Sequence, residues 1–201
     1  MLRLERGIDF DRLEPRNVAV GPRGNGMEQY DAVQLRCLSH SGAFYLTRWL
    51  QSISVPTVSP HQVVAACGDK MLTTTLLLEA GVSSPHTVVA FRPEMALRAI
   101  EDAGYPVVLE PLVGSWGRVV ARVNDRDAAE AILEHKSSLV GYLHGIFYIQ
   151  EYVDKPGRDI RVVVVGDSTL YFVYRRCEHW ITNTALGGKA EPRALTPELS
   201  E

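Results

Sequence analysis

The chain has 201 residues, 46% of them hydrophobic and 22% charged, and a formal net charge of -3. That composition fits a globular protein of one large or two small domains and excludes a chain disordered throughout. The absence of a broad positive field argues against sequence-independent nucleic-acid binding. Three widely spaced cysteines, Cys37, Cys67 and Cys177, form neither an even-numbered framework nor a CxxC metal pattern. No apolar run approaches the ~18 residues of a membrane-spanning helix, and the N-terminus lacks the apolar core of a secretory signal. The expectation is a cytoplasmic protein with neither a membrane nor a nucleic-acid partner.

In chain order, Met1 to Met27 is rich in Arg and Gly without a sustained period and reads as loop. Tyr30 to Leu35 reads as a strand. Ser41 then stands before Ala43, Leu46, Leu50 and Ile53, which are spaced for one helix face. Ser54 to Val58 reads as a second strand and His61 to Ala66 as a short helix, so residues 1–66 form a small α/β unit. Asp69 suits the N-cap of a helix through Ala80, closed by Gly81. Thr87 to Phe91 is a strand, Pro93 to Ala103 a helix opened by proline, and Gly104-Tyr105-Pro106 the turn into Val107-Val108-Leu109. The glycine-bearing loop Gly114 to Gly117 separates that strand from Val119 to Val123 and predicts an antiparallel hairpin. Asp125 to Glu134 is helical in pattern. Phe147 to Val153, Ile160 to Val165 and Leu170 to Tyr174 are further strands, and Lys189 to Glu201 offers little to pack.

Three features carry chemistry. In Val107 to Arg118 the loop Gly114-Ser115-Trp116-Gly117 lets bare backbone N–H groups approach phosphate oxygens, with Arg118 as an added cation, although the same spacing also suits an ordinary hairpin. Phe147 to Val153 is an apolar strand ending in Gln150-Glu151-Tyr152-Val153, where backbone and carboxamide groups can meet a purine edge; a buried strand reaching solvent looks the same. Asp159 and Arg161 share one strand face, and with Arg175, Arg176 and His179 to Asn183 they could line a cleft. Arginines suit bidentate binding of phosphate or carboxylate, whereas a surface ion pair is the plain alternative. Lys70 on its own reads as a solvated helix residue.

Taken in order, the motifs Arg36-Cys37-Leu38-Ser39, Cys67-Gly68-Asp69-Lys70, Gly104 to Leu109, Gly114 to Arg118, Gln150 to Arg161 and His179 to Thr184 resemble the ATP-grasp superfamily. Within it the chain is similar to ligases that join α-aminoadipate or glutamate to a small amino-group carrier protein in lysine and arginine biosynthesis, relatives of the ligases that add glutamate to a ribosomal protein. The resemblance covers roughly Tyr30 to Pro192. It implies an α/β (α+β) ATP-grasp fold, partial, with a shortened N-terminal pre-ATP-grasp unit over 1–66 and the ATP-grasp domain over 67–201.

The resemblance also implies roles by position. Lys70 and Glu110 would lie at the nucleotide site, and Gly114, Ser115, Trp116, Gly117, Arg118, Val119 and Val120 would cover the phosphates. Gln150 to Arg161, with Gln150, Glu151, Tyr152, Val153, Asp159 and Arg161 as the site residues, would hold adenine and ribose and continue along the cleft, and Arg175 and Asn183 would face the phosphates or the acid substrate. ATP and Mg2+ are the implied cofactors. The metal ligands are expected in a C-terminal segment this chain lacks, so no metal ligand is assigned within it. The carrier protein and the amino dicarboxylic acid are the implied partners, and a homo-oligomer is compatible with the sequence. The family pattern has a lysine directly before the proline of the phosphate-side strand, where this chain has Glu110, which reverses a charge. A truncated, non-catalytic nucleotide- or carrier-binding relative is the alternative expectation.

Overall fold

The structure is a computed structural model that describes residues 31–193 apart from Leu38 and Val140, with Tyr142 described by its backbone alone. The loop expected over Met1 to Met27 lies outside the described residues, as does the expected strand's first residue, Tyr30. The chain forms two compact units with their boundary between Gly81 and Val82.

In the first unit, β1 (Val33–Gln34) pairs in parallel with β2 (Thr57–Val58). The helix between them, α1 (His40–Ser52), begins two residues earlier than expected. Ser39 is its N-cap, accepting from the Gly42 amide at 3.2 Å, while Ser41 sits inside the first turn with its hydroxyl hydrogen-bonded to that of Ser39. The expected helix face brings Leu50 into a small core with Val33, Trp49 and Val55, and Leu46 and Ile53 flank it. Helices α2 (His61–Gly68) and α3 (Lys70–Glu79) follow. Asp69 caps α3 by accepting from the Leu72 amide at 3.1 Å, and Gly81 takes the expected left-handed conformation with φ 70°.

The second unit holds two antiparallel sheets. The first runs β3-β6-β4-β5, with β3 (Thr87–Ala90), β4 (Val107–Glu110), β5 (Ala121–Val123) and β6 (Phe147–Glu151). Helices α4 (Pro93–Ala103) and α5 (Arg126–Ser138) contribute Ala96, Ile100, Ala129 and Leu133 to one core with Val107, Leu109, Val123, Phe147 and Ile149 of the sheet. At the end of α5, the Lys136 amine donates to the carbonyls of Leu143, His144 and Ile146, which ties the helix to the turn feeding β6. The expected hairpin is present, with Val107 opposite Val123.

The second sheet runs β7 (Arg158–Val165), β8 (Ser168–Arg176) and β9 (Lys189–Arg193). Strand β9 corrects the expectation that the chain offers little to pack after Lys189. Its residues Lys-Ala-Glu-Pro-Arg carry no apolar alternation, and Pro192 is tolerated because the strand is an edge. No helix among the described residues is long and apolar enough to cross a membrane.

The core around Ile100 and Phe147 positions everything built on β4 and β6. Truncating the fully buried Phe147 to Ala is expected to cost about 3–5 kcal/mol in urea denaturation, whereas Phe91→Ala, at a side chain 64% exposed, is expected to change stability by less than about 0.5 kcal/mol.

Candidate functional site

Strand alternation sorts the first sheet into two faces. Val107 and Leu109 enter the core, so Val108 and Glu110 lie on the opposite face. Register places Gln150 and Arg122 opposite Val108, and Tyr148 opposite Glu110, on that same face. The Gln150 amide donates to the Thr87 hydroxyl at 3.1 Å and to the Tyr148 hydroxyl at 3.3 Å. Glu110 therefore stands on a polar sheet face together with the carboxamide expected at the purine end.

Between β4 and β5 the glycine loop is compressed into a turn. The Arg118 amide donates to the Ser115 carbonyl at 3.3 Å, and the Arg118 guanidinium lies 4.9 Å from the centre of the Trp116 ring. Trp116, Gly117 and Val119 have φ of 65°, 69° and 58°. A β-branched valine in the left-handed region is a genuine outlier, costing on the order of 1–3 kcal/mol. Gly117 is also a point of close approach. A Cβ there would lie 2.8 Å from Ile181 Cγ2, 3.1 Å from Leu186 Cδ1 and 3.2 Å from Asn183 Oδ1. The glycine loop thus lies against the segment that carries Asn183.

The second sheet supplies the charged network. Asp159 and Arg175 are opposite each other on β7 and β8. Arg175 donates from Nε to Asp159 Oδ1 at 2.7 Å and from Nη2 to Oδ2 at 2.6 Å, and the Thr182 hydroxyl donates to Oδ2 at 2.6 Å. Lys155 Nζ in turn donates to Thr182 Oγ1 at 3.3 Å. Burial alone would raise the Asp159 pKa. The hydrogen bonds from Arg175 and Thr182 and the charges of Arg175 and Lys155 outweigh it, so the carboxyl titrates below its ordinary value.

A cavity of about 400 Å3 adjoins this network, lined by Arg122, Tyr152, Lys155, Gly157, Glu178, His179, Trp180 and Thr182. The Arg122 guanidinium lies over the Tyr152 ring at 5.2 Å and donates to its hydroxyl at 3.3 Å, while Tyr152 meets Trp180 edge-on at 6.0 Å. Its volume falls within the range of small-molecule sites. Two cations, the Glu178 carboxylate and aromatic rings in one concavity suit a ligand that combines a ring with polar or charged groups.

The second unit therefore brings several expected residues near one another. Gly117 approaches Asn183, Asp159 engages Arg175, and Tyr152 opens the cavity that reaches Thr182. Arg161 shares the Asp159 face of β7 but is exposed, and Glu151 points to the opposite sheet face from Gln150. Lys70 is the first residue of α3 in the other unit. Arg122 lies outside the sequence motifs, whereas Lys155 falls within Gln150 to Arg161, and Trp180 and Thr182 fall within His179 to Asn183. The run His179 to Asn183 does not announce the bond of Thr182 to Asp159, and Arg122 reads like any solvent-facing strand residue.

Comparison with known proteins decides the ancestry of this arrangement. Residues 67–201 match the model of the RimK-like ATP-grasp domain, and residues 3–66 match that of the LysX preATP-grasp domain. The chain belongs to the RimK-like ATP-grasp family. It is 38% identical over 167 residues to the alpha-aminoadipate–LysW ligase LysX of Saccharolobus solfataricus, covering 83% of this chain and 61% of that one. It is 32% identical over 201 residues to the glutamate–LysW ligase ArgX of Sulfurisphaera tokodaii, covering 98% of this chain and 70% of that one. Among solved structures, the RimK domain ATP-grasp protein from Sphaerobacter thermophilus superposes with a TM-score of 0.69 at 31% identity, over 80% of this chain and 61% of that chain. The chain thus spans 61% of the length of the LysX relative. The two antiparallel sheets are accordingly those of an ATP-grasp fold.

Two outcomes test the local physics of this ATP-grasp site. Replacing Val119 with Asn, which tolerates φ near 60° better, is expected to raise the melting temperature by roughly 2–4 °C, by relieving about 1 kcal/mol of strain. The second concerns Asp159, whose lowered folded pKa means its stabilisation is present above the ordinary carboxylate value of about 4 and is lost as pH falls through the folded value. Asp159→Asn is expected to cost about 2 kcal/mol at pH 7, below the range for a fully buried pair because the partners are about one-fifth exposed. The gap between wild type and variant should close as pH falls below about 4, read as melting temperature against pH.

Proposed function

We propose that this chain is the nucleotide-binding portion of an ATP-dependent carboxylate–amine ligase that joins α-aminoadipate or glutamate to the terminal carboxylate of an amino-group carrier protein. The observation that carries the proposal is the approach of the Gly114 to Arg118 loop to Asn183, beside the Asp159, Arg175 and Thr182 network. Loop backbone and an amide side chain then lie in contact, groups that suit phosphate oxygens. The names of the relatives, two LysW ligases of different amino-acid specificity, support the substrate class. The same reading divides the chain into a pre-ATP-grasp unit over 1–66 and an ATP-grasp domain over 67–201, and places it in the cytoplasm.

In the proposed reaction the carrier carboxylate attacks the terminal phosphorus of ATP, giving an acyl phosphate and ADP. The substrate's amine then attacks the acyl carbon, forming the C–N bond, releasing phosphate and losing a proton. Lys70 and Gln150 to Val153 would serve the nucleotide, Asp159 and Arg161 would continue along the cleft, and Arg175 and Asn183 would meet the phosphates. Magnesium normally accompanies ATP in such transfers and neutralises developing charge. Among the described residues no group of three or more His, Cys, Asp or Glu side chains could hold a metal ion, so no step is assigned to one.

Glu110 favours a second reading, a relative that binds nucleotide or carrier without turnover. A carboxylate on the cleft face repels phosphate, and two unit charges about 4 Å apart interact by roughly 4 kcal/mol at an effective dielectric near 20. Solvent reduces that figure at a half-exposed position.

The proposal predicts that saturating ATP raises the melting temperature, because a ligand binding only the folded state stabilises it. ATP, magnesium, carrier and either amino acid should then yield ADP and the joined product, and a folded chain that binds ATP without forming product would establish the second reading. Glu110→Lys is expected to tighten ATP binding by about tenfold or more in a calorimetric titration. No gain would remove the charge argument.

A further inference from the structure

Thr182 is 1% exposed, and both hydrogen-bonding capacities of its hydroxyl are taken by charged partners from different segments. It donates to Asp159 on β7 at 2.6 Å and accepts from Lys155, in the connection between β6 and β7, at 3.3 Å. Its backbone is held as well. A Cβ on Gly188 would fall 2.2 Å from the Thr182 carbonyl oxygen, so the turn that returns to β9 closes directly onto this peptide. The next carbonyl, that of Asn183, accepts from the amides of Leu186 at 2.9 Å and Gly188 at 3.2 Å. On the other side, Ile181 and Asn183 abut Gly117 of the glycine loop. The short segment 181–183 is therefore clamped between the Asp159–Arg175 pair and the loop, and among the described residues Thr182 is its side-chain link to that pair.

We propose that Thr182 is a positioning residue that holds Asn183 and Arg175 in place for the phosphate groups of the nucleotide, an inference that rests on the nucleotide-binding reading above. Without the hydroxyl, Asp159 Oδ2 keeps Arg175 alone and Lys155 loses its acceptor. Asn183 then loses the constraint that sets its distance from the glycine loop. Ile181, 8% exposed, and the turn bonds of Asn183 retain the backbone trace, so the fold survives while the placement loosens. Thr182 makes this contribution through its neighbours and need not touch the nucleotide.

The test compares Thr182→Val, which keeps shape and removes the hydroxyl, with Thr182→Ser, which keeps the hydroxyl. Affinities for ADP and for adenosine are measured by calorimetry on the full chain, beside its melting temperature. A hydrogen bond to a charged group is strong enough that its loss is expected to weaken ADP by about tenfold or more in Thr182→Val, leave adenosine within about twofold, and be restored in Thr182→Ser. Equal affinity of Thr182→Val and wild type for ADP overturns the proposal, as does an equal loss for ADP and adenosine, which marks general structural damage. Binding of neither ligand by wild type counts against the nucleotide reading itself. In that case the Asn183 side-chain amide resonance decides the inference without nucleotide, since Thr182→Val should shift it and Thr182→Ser should not, and an unmoved resonance in Thr182→Val overturns the positioning role.

Discussion

The carboxylate of Asp159 is the constraint on which the charged half of the second unit depends. It accepts three hydrogen bonds, two from one guanidinium and one from a buried hydroxyl. Without it, Arg175 and Lys155 would bring two like charges to the same partly buried place with no counterion between them. A charge in such surroundings is tolerated only when paired and hydrogen-bonded. Three stretches of chain separated in sequence, β7, β8 and the segment after β8, are thereby brought together through one side chain. The position of Asn183 against the glycine loop follows from that.

The same alternation that aims Arg175 at Asp159 sends its neighbour Arg176 to the other face of the sheet. There Arg158, Arg176 and Arg193 lie around the ring of Tyr174 at 4.9, 5.6 and 5.5 Å, and Glu191 accepts from both Arg176 and Arg193. An aromatic face and one shared carboxylate hold these three cations on the sheet face opposite Asp159. Period-two geometry separates an inward-acting arginine from an outward-acting one only a residue away. The consecutive pair Arg175-Arg176 therefore has two unrelated jobs.

Much of this was legible in the sequence, and the exceptions have physical causes. The hairpin around Gly114 to Gly117, the proline-opened α4 and the Asp69 cap follow from local chemistry that tertiary context does not override. The placement of Asp159 and Arg161 on one face likewise followed from strand period alone. Ser39 displaced Ser41 as the first cap because both are good caps two residues apart, and only the backbone conformation distinguishes them. Strand β9 was illegible because an edge strand needs backbone partners more than apolar side chains, and Lys189 to Arg193 offers only the former. Arg122 was illegible, and Thr182 was legible only as part of the run His179 to Asn183, because their partners lie 30 and 23 residues away, at Tyr152 and Asp159, which no local pattern announces.

Glu110 shows that the shape of this cleft and its charge are separable. The groups that hold the shape are Gly117, whose missing side chain admits Ile181 and Asn183, and the Thr182, Asp159 and Arg175 chain. Glu110 ends a strand whose register is set by backbone pairing and by Val107 and Leu109 in the core. A reversed charge can therefore persist in a fully formed ATP-grasp frame. What it alters is the potential felt by an anion approaching the Gln150 and Tyr148 face, an effect that depends on ionic strength and local solvent. Steric fit at Gly117 holds the glycine loop against the Asn183 segment, and the carboxylate of Glu110 adds negative charge at the end of β4.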